Sequence, residues 1–353
     1  MSYPQLAIDC SKIYHNTKAL IHRLGLKNIM VIPVTKICLG HPIIAQVLIN
    51  AGATILADSR VENIGKMRRA GITQPIMLIR SPMISQVTEV IQYCSISLNT
   101  ELSVIQGLSC AANKLGVIHD IIIMVELGDL REGLMTEDLM AFIEKIIFLP
   151  NIILKGIGTN LACRYGISPD NTNMSQLSDL ADAIEKKFDI QLDIISGGNS
   201  ATLNWAFNNV SKTRVNQLRL GEAVFLGTEA LHQDKIEGLF CDFITLTAEV
   251  IESKIKPSLP WGQQALNAFG ETPKTCDRGD VSQAILALGR QDVSIAGLKP
   301  PNGVTIVSST SDHLVVETSK ILEVGEKIEF HLTYGGILFA MTSPFVDKLF
   351  LKY

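Results

Sequence analysis

The stretch Val31-Ile32-Pro33-Val34-Thr35-Lys36-Ile37-Cys38-Leu39-Gly40, followed by Pro42-Ile43-Ile44-Ala45-Gln46-Val47-Leu48, reads as one strand, one turn and one helix. A near-continuous β-branched run is the pattern of a strand covered on both faces. It ends in a single Lys36, and Gly40 supplies the turn. Working outward, the same β-then-α unit recurs. Apolar strand-like runs fall at 29–35, 53–57, 75–80, 93–98, 119–126, 153–158, 192–196 and 214–220. Amphipathic segments separate them, for example Met174 to Ile184. Eight such units predict a (β/α)8 barrel, with a doubly wound sheet as the alternative.

After about residue 230 the pattern changes. Phe240–Ile255, Ala284–Leu288, Gly303–Val307, Leu314–Glu317 and Lys327–Leu332 read as strands without long helices between them, and Pro and Gly supply turns. The division expected is a barrel over 10–230 and a smaller all-β domain over 231–353. The strand at 5–9 is expected to join the second domain, because the barrel already has eight.

The 353 residues are 47% hydrophobic and 19% charged, which fits a well-packed globular enzyme. A net charge of −4 gives no reason to expect nucleic acid or anionic lipid as a partner. No apolar run reaches the roughly 18 residues of a membrane span. The start, Met1 to Gln5, lacks the basic and apolar regions of a secretory leader. Seven Cys without a CxxC pair argue against a disulfide framework, so reduced thiols in the cytoplasm are expected.

Barrel chemistry sits at the C-terminal ends of the strands. These ends carry Lys36, Asp58-Ser59-Arg60, Arg80-Ser81-Pro82, Asn99-Thr100-Glu101, Glu126 to Gly133, Gly158-Thr159-Asn160, Ser196 to Ser200 and Arg219-Leu220-Gly221-Glu222. A lone strand-end lysine is commonly a surface cap. Here its amine is placed to form an imine with a carbonyl such as the aldehyde of pyridoxal phosphate. Gly197-Gly198-Asn199-Ser200 offers backbone N–H groups to an anion, in the position where barrels favour phosphate, and Gly221 lets the backbone approach the same group.

These strings resemble the fold-type III pyridoxal-phosphate enzymes, and among them the alanine/ornithine racemase family. The resemblance is carried by Ile13-Tyr14-His15-Asn16, Val34-Thr35-Lys36, Ala57 to Ile64, Glu126 to Gly133 and Gly156 to Cys163. It continues in Gly197 to Ser200, Arg219 to Ala223 and Ala287 to Asp292, in order over nearly the whole chain. It implies a pyridoxal-phosphate-dependent amino-acid racemase in which Lys36 binds the cofactor and acts as base on one face. By the same resemblance Arg219 faces the pyridine nitrogen. Arg131 lies near the phenolic oxygen and the substrate carboxylate, and the Tyr334 hydroxyl contacts the phosphate. Asn160 stands where the alanine racemases have histidine. The expected cofactor contacts are thus Lys36, Asn160, Gly197, Gly198, Asn199, Ser200, Arg219, Gly221, Glu222 and Tyr334. No metal is expected.

Racemisation needs a proton donor on the second face. The tyrosine that alanine racemases use falls at Arg290, a poor base. Cys276, His313 and a water held by Asp292 are the candidates. Members of the family it resembles complete the site across a head-to-tail dimer, so the resemblance implies a homodimer. The acidic Asp129, Glu132, Asp277, Asp280 and Asp292 could receive a distal ammonium, favouring ornithine or lysine as substrate. Competing readings are a decarboxylase, with Glu222 rather than Arg219 on the ring, a non-catalytic pyridoxal-phosphate carrier, and a barrel aldolase using Lys36 alone.

Overall fold

The computed structural model describes residues 3–208, 213–267, 269–270, 272 and 275–351. The chain divides into two compact units, Ser11–Cys241 and Met1–Cys10 with Asp242–Tyr353. Strand β1 (Gln5–Asp9) belongs to the latter.

The first unit holds eight strands: β2 (Met30–Pro33), β3 (Leu56–Asp58), β4 (Ile76–Leu78), β5 (Ile96–Asn99), β6 (His119–Met124), β7 (Ile152–Gly158), β8 (Ile194–Ser196) and β9 (Gln217–Leu220). All neighbours are parallel, in the order β2-β9-β8-β7-β6-β5-β4-β3. A bridge between Val34 and Ala57 joins the two ends, so the sheet curls into the eight-stranded barrel that the β-then-α periodicity predicts. Each expected strand contains or overlaps an observed one. Alternate strand positions fill the interior with Ile32, Val34, Met77, Leu98, Ile122 and Met124, all buried. Each such side chain contributes roughly 1.5–3 kcal/mol by leaving water.

Helices cover the outside, and their ends follow local chemistry. The helix Pro42–Asn50 starts at a proline, whose missing N–H costs nothing there. Asn171–Phe188 begins in a capping box, Asp170 and Asn173 each accepting the other's backbone N–H. Leu102–Leu115 stops at Gly116 in the left-handed region.

One detail departs from expectation. Lys36 does not end a strand: β2 stops at Pro33, and Lys36 sits in a 3-10 turn over Thr35–Cys38. The cause is the Thr35 hydroxyl, which donates to Asp58 Oδ2 at 2.6 Å and lies 3.1 Å from the Ala57 carbonyl. These bonds tie the turn to the end of β3.

The second unit is a sheet ordered β12-β15-β10-β11-β14-β13, where β10 is Ile244–Pro257, β11 Asp280–Leu286, β12 Leu298–Lys299, β13 Val304–Ser309, β14 Leu314–Thr318 and β15 Lys327–Leu332. The pairs along this path are antiparallel. β1 pairs antiparallel with β10 and parallel with β16 (Asp347–Leu351). Its core includes Leu246, Val250, Leu286, Leu314, Val316 and Phe330. The unit is not purely β: Tyr334–Thr342 is a helix, N-capped by the Thr333 hydroxyl on the Gly336 N–H.

Candidate active site

Arg219 points into the barrel from β9 and is 3% exposed. Its two terminal nitrogens donate to the Ser196 hydroxyl and to the Thr159 carbonyl, the latter at 2.8 Å. Ser196 in turn donates to Gln217 Oε1 at 3.0 Å, and the Thr159 hydroxyl donates to the Val125 carbonyl at 3.0 Å. The guanidinium is therefore held by neutral oxygens at the C-terminal rim. Burial lowers its pKa to about 10, while the Glu132 charge opposes that fall. It stays protonated at neutral pH. Strand β2, which leads into the Lys36 turn, is the direct neighbour of β9, with Ile32 opposite Arg219.

The turn Gly197–Ser200 follows β8. The Gly198 carbonyl accepts the Arg219 N–H at 2.9 Å, which ties the turn to β9. Gly198 has φ +112, a conformation that favours glycine, and an added Cβ would lie 2.9 Å from Thr202 Oγ1. Among the described residues the amides of Gly198, Asn199, Ser200 and Gly221 meet no acceptor in the protein. The two loops that carry them are joined by the Ala223 N–H donating to Ser200 Oγ at 3.2 Å. Unpaired amides on two joined loops are donors suited to an anion such as a phosphate.

The Asn199 side chain is committed elsewhere. Its Oδ1 accepts from the Ala201 N–H, and its Nδ2 reaches Asn160 Oδ1 at 3.1 Å, the Leu161 carbonyl at 2.9 Å and Cys163 Sγ at 3.4 Å. Only its backbone is left for an anion. Asn160 keeps a buried Nδ2 without a partner among the described residues, a donor that a ligand could satisfy. Glu222 starts the short helix Glu222–Leu226, and burial and the charge of Glu229 raise its pKa. The charge that acts on it is another carboxylate's, whereas Arg219 is sealed in the barrel.

The Glu126–Gly133 loop after β6 is tied at several points. Glu126 accepts from the Gly128 and Arg131 N–H groups, at 2.6 and 3.1 Å. Asp129 is fully buried and accepts from the Cys163, Arg164 and Tyr165 N–H groups, at 3.0, 2.9 and 3.0 Å. Burial alone would raise its pKa, but these amides and that of Ile167 hold it below the usual carboxylate range. Asp129 is thus a loop pin rather than a receptor for a distal ammonium, contrary to expectation. Arg131 is paired with its own neighbour, Glu132.

A family model described as alanine racemase, N-terminal domain, matches residues 8–229. The chain belongs to the alanine racemase family. It is 38% identical to the ornithine racemase of Acetoanaerobium sticklandii over 98% of this chain and 99% of that one. It is 36% identical to the lysine racemase of Thermotoga maritima, over 99% of each chain. The alanine racemase structure from a D-cycloserine-producing Streptomyces lavendulae superposes with a TM-score of 0.78 at 17% identity, covering 100% of this chain and 98% of that one. That likeness shows the barrel-plus-sheet fold.

The remaining expected residues of this alanine racemase family member lie on the second unit. Three gather where the turns Gly289–Val293 and Thr310–His313 interlock. The Arg290 N–H donates to the Thr310 carbonyl, and its guanidinium donates to Ser309 Oγ at 3.0 Å and stacks on Phe269, 3.6 Å from the ring centre. Asp292 is buried and accepts from the Gly289 N–H at 2.8 Å; burial raises its pKa. His313 Nδ1 lies 3.1 Å from Asp312 Oδ1. Cys276 is apart from them, exposed on the loop before β11, and Asp277 and Asp280 are exposed beside it. Tyr334 is the half-buried first residue of the helix Tyr334–Thr342. Sequence reasoning assigned no role to Thr159, Ser196 or Asp58. All three are polar, buried and at strand ends, which is the signal that could have found them.

Proposed function

We propose that the protein is a pyridoxal-phosphate-dependent racemase of basic amino acids, working in the cytoplasm as a head-to-tail homodimer. The observation that carries the reading is Arg219, a sealed cation on neutral partners, one strand from the lysine turn and bonded to the cradle turn. Full-length kinship to an ornithine and a lysine racemase supports the substrate class. Seven free thiols, none in a disulfide, support the compartment. No described helix is long and apolar enough to cross a membrane.

The cofactor fits these residues. The unpaired amides of Gly198, Asn199, Ser200 and Gly221 would hold its phosphate, and the family resemblance assigns the Tyr334 hydroxyl a phosphate contact. Asn160 would spend its orphaned Nδ2 at the ring, and Glu222 lies beside the same cradle. When bound, pyridoxal phosphate acidifies the substrate α-carbon by delocalising its negative charge. Arg219, a donor that does not give up its proton, would keep the pyridine nitrogen unprotonated, which favours prompt proton return over side reactions. That arrangement speaks against the decarboxylase reading, in which Glu222 takes this place. Lys36 would anchor the cofactor and then take or return the α-proton on one face. Arg131 would bind the substrate carboxylate. The proton on the other face would be handled by Cys276, His313 or a water held by Asp292 of a second copy of the chain, with Arg290 next to Asp292 and His313.

The test is α-proton exchange of L-ornithine in D2O, with pyridoxal phosphate added and chirality followed by chromatography. Exchange with loss of optical purity is expected. Putrescine formation, or no exchange with ornithine or lysine, would overturn the reading.

A further inference from the structure

The barrel rim gathers positive charge at Lys36, Arg131 and Arg219, yet a dibasic amino acid brings one more cation than alanine does. Something must offset that charge. The rim carboxylates of β3 and β6 are Asp58, which ends β3, and Glu126, Asp129 and Glu132, which follow β6. Asp58 accepts the Thr35 hydroxyl, the Arg60 N–H and the Asn63 amide, and is fully buried. Glu126 accepts two backbone N–H groups and Asp129 accepts three. These three carboxylates are spent on the scaffold.

Glu132 differs. Its contacts are with one side chain: Arg131 Nη2 at 2.6 Å from Oε1, and Arg131 Nε at 2.5 Å from Oε2. Its side chain is 25% exposed, so a ligand can reach it. It is near enough to the interior for its charge to act on Arg219 as well as on Arg131. Consecutive residues of an extended chain point to opposite faces. Here Leu130 at φ +49 and Gly133 at φ +156 bracket the pair, and the two side chains meet each other in the ion pair. The bend is fixed, because a Cβ on Gly133 would lie 2.4 Å from the Glu126 nitrogen, and because the Glu126 N–H donates to the Leu134 carbonyl at 2.9 Å while the Leu134 N–H donates to the Met124 carbonyl at 2.8 Å.

We propose that Glu132 is the specificity-determining carboxylate of this racemase. It receives the distal ammonium of a dibasic amino acid, while Arg131, released from it, takes the α-carboxylate. The inference rests on the racemase reading and deepens it. The resting Arg131–Glu132 pair is the internal counterpart of the substrate's own charges. A dibasic substrate exchanges one ion pair for two and leaves no charge unpaired. A substrate with an apolar side chain breaks the pair and strands the Glu132 carboxylate, which is the larger part of the discrimination.

The test uses holoenzyme and two ligands that cannot be racemised: 5-aminopentanoate, which is ornithine without its α-amino group, and hexanoate, its isostere with a methyl in place of the distal ammonium. Binding to wild type, Glu132→Gln and Glu132→Asp is measured by calorimetry. Wild type is expected to prefer 5-aminopentanoate by about 10- to 100-fold, the worth of one charge-assisted hydrogen bond. Glu132→Gln should bring the two affinities within about threefold, chiefly by weakening 5-aminopentanoate. Glu132→Asp, which keeps the charge on a shorter stem, should retain a preference between the two. Racemisation of ornithine against norleucine by the same variants should follow the same order. Equal affinities in wild type, or a preference unchanged in both variants, overturns the inference. So does an equal loss of ornithine and norleucine turnover. Each of these results leaves wild-type racemisation of ornithine, and with it the functional reading, intact.

Discussion

Replacing Asp129 by alanine tests whether the rim loops are held as the hydrogen bonds indicate. One fully buried carboxylate accepts three consecutive backbone N–H groups, Cys163 to Tyr165, at 2.9–3.0 Å. Removing it orphans all three donors. Each buried, unsatisfied donor costs about 1–3 kcal/mol. Cys163 to Tyr165 lie in an exposed loop that water can partly re-enter, so the low end applies and the total is about 3 kcal/mol. That is roughly a hundredfold rise in local opening. Hydrogen exchange at those three amides reads it directly, with β6 and β7 as internal controls. The same loop holds Asn199 through Asn160, Leu161 and Cys163, so pyridoxal-phosphate affinity should fall in step. The pH dependence has a definite sign. The native carboxyl is held below its ordinary range, so its contribution is complete above the unfolded pKa and is lost as pH falls through the lowered native value. The penalty of the substitution should therefore shrink in acid. Protection of the three amides within threefold of wild type would refute the reasoning.

Asp58→Asn keeps the shape but places an amide N–H where an oxygen accepts from Thr35, Arg60 or Asn63. It is expected to cost about 1–2 kcal/mol in urea unfolding, and to lower kcat more than it raises KM because the Lys36 turn loses its anchor. Equal unfolding midpoints would contradict this. His119 is buried against Ser97 Oγ at 2.8 Å, and burial lowers its pKa from the ordinary 6.5 to about 4. The unfolded chain takes up this proton first as pH falls, so stability declines between 6.5 and 4, by up to about 3 kcal/mol. Urea titrations across that window should show a shallower decline in His119→Gln.

The barrel was legible because eight covered strands leave a signal that repeats, and the position of Arg219 was legible because it stands one residue before the end of the last of them. What was hidden depends on contacts between distant parts of the chain. The turn that displaces Lys36 from its strand is made by Thr35 on Asp58, 23 residues away. Asp129 looked like a solvated acid because nothing local reveals that amides 34–36 residues onward consume it. The helix Tyr334–Thr342 escaped for another reason. Its segment Tyr334-Gly335-Gly336-Ile337-Leu338-Phe339-Ala340 has two glycines near the start and apolar residues all round, so no helical period shows. It forms because the Thr333 cap and burial of Ile337 and Ala340 outweigh the glycines.

Arg219 also explains why rim charge is distributed as it is. A buried guanidinium against a contacting carboxylate would be cheaper to seal, but the carboxylate would neutralise it. Here its two hydrogen bonds among the described residues go to a hydroxyl and a carbonyl, and arginine has five donors. The positive charge and the remaining donors are thus left for a ligand's acceptor. Sealing such a cation on neutral partners is costly, and the drop in its pKa to about 10 registers that cost. The charge of Glu132 offsets part of it without touching the guanidinium. A carboxylate acting at that remove stabilises Arg219 and still has its own oxygens on a displaceable partner. One residue can then balance the interior cation at rest and meet a second cation when substrate arrives.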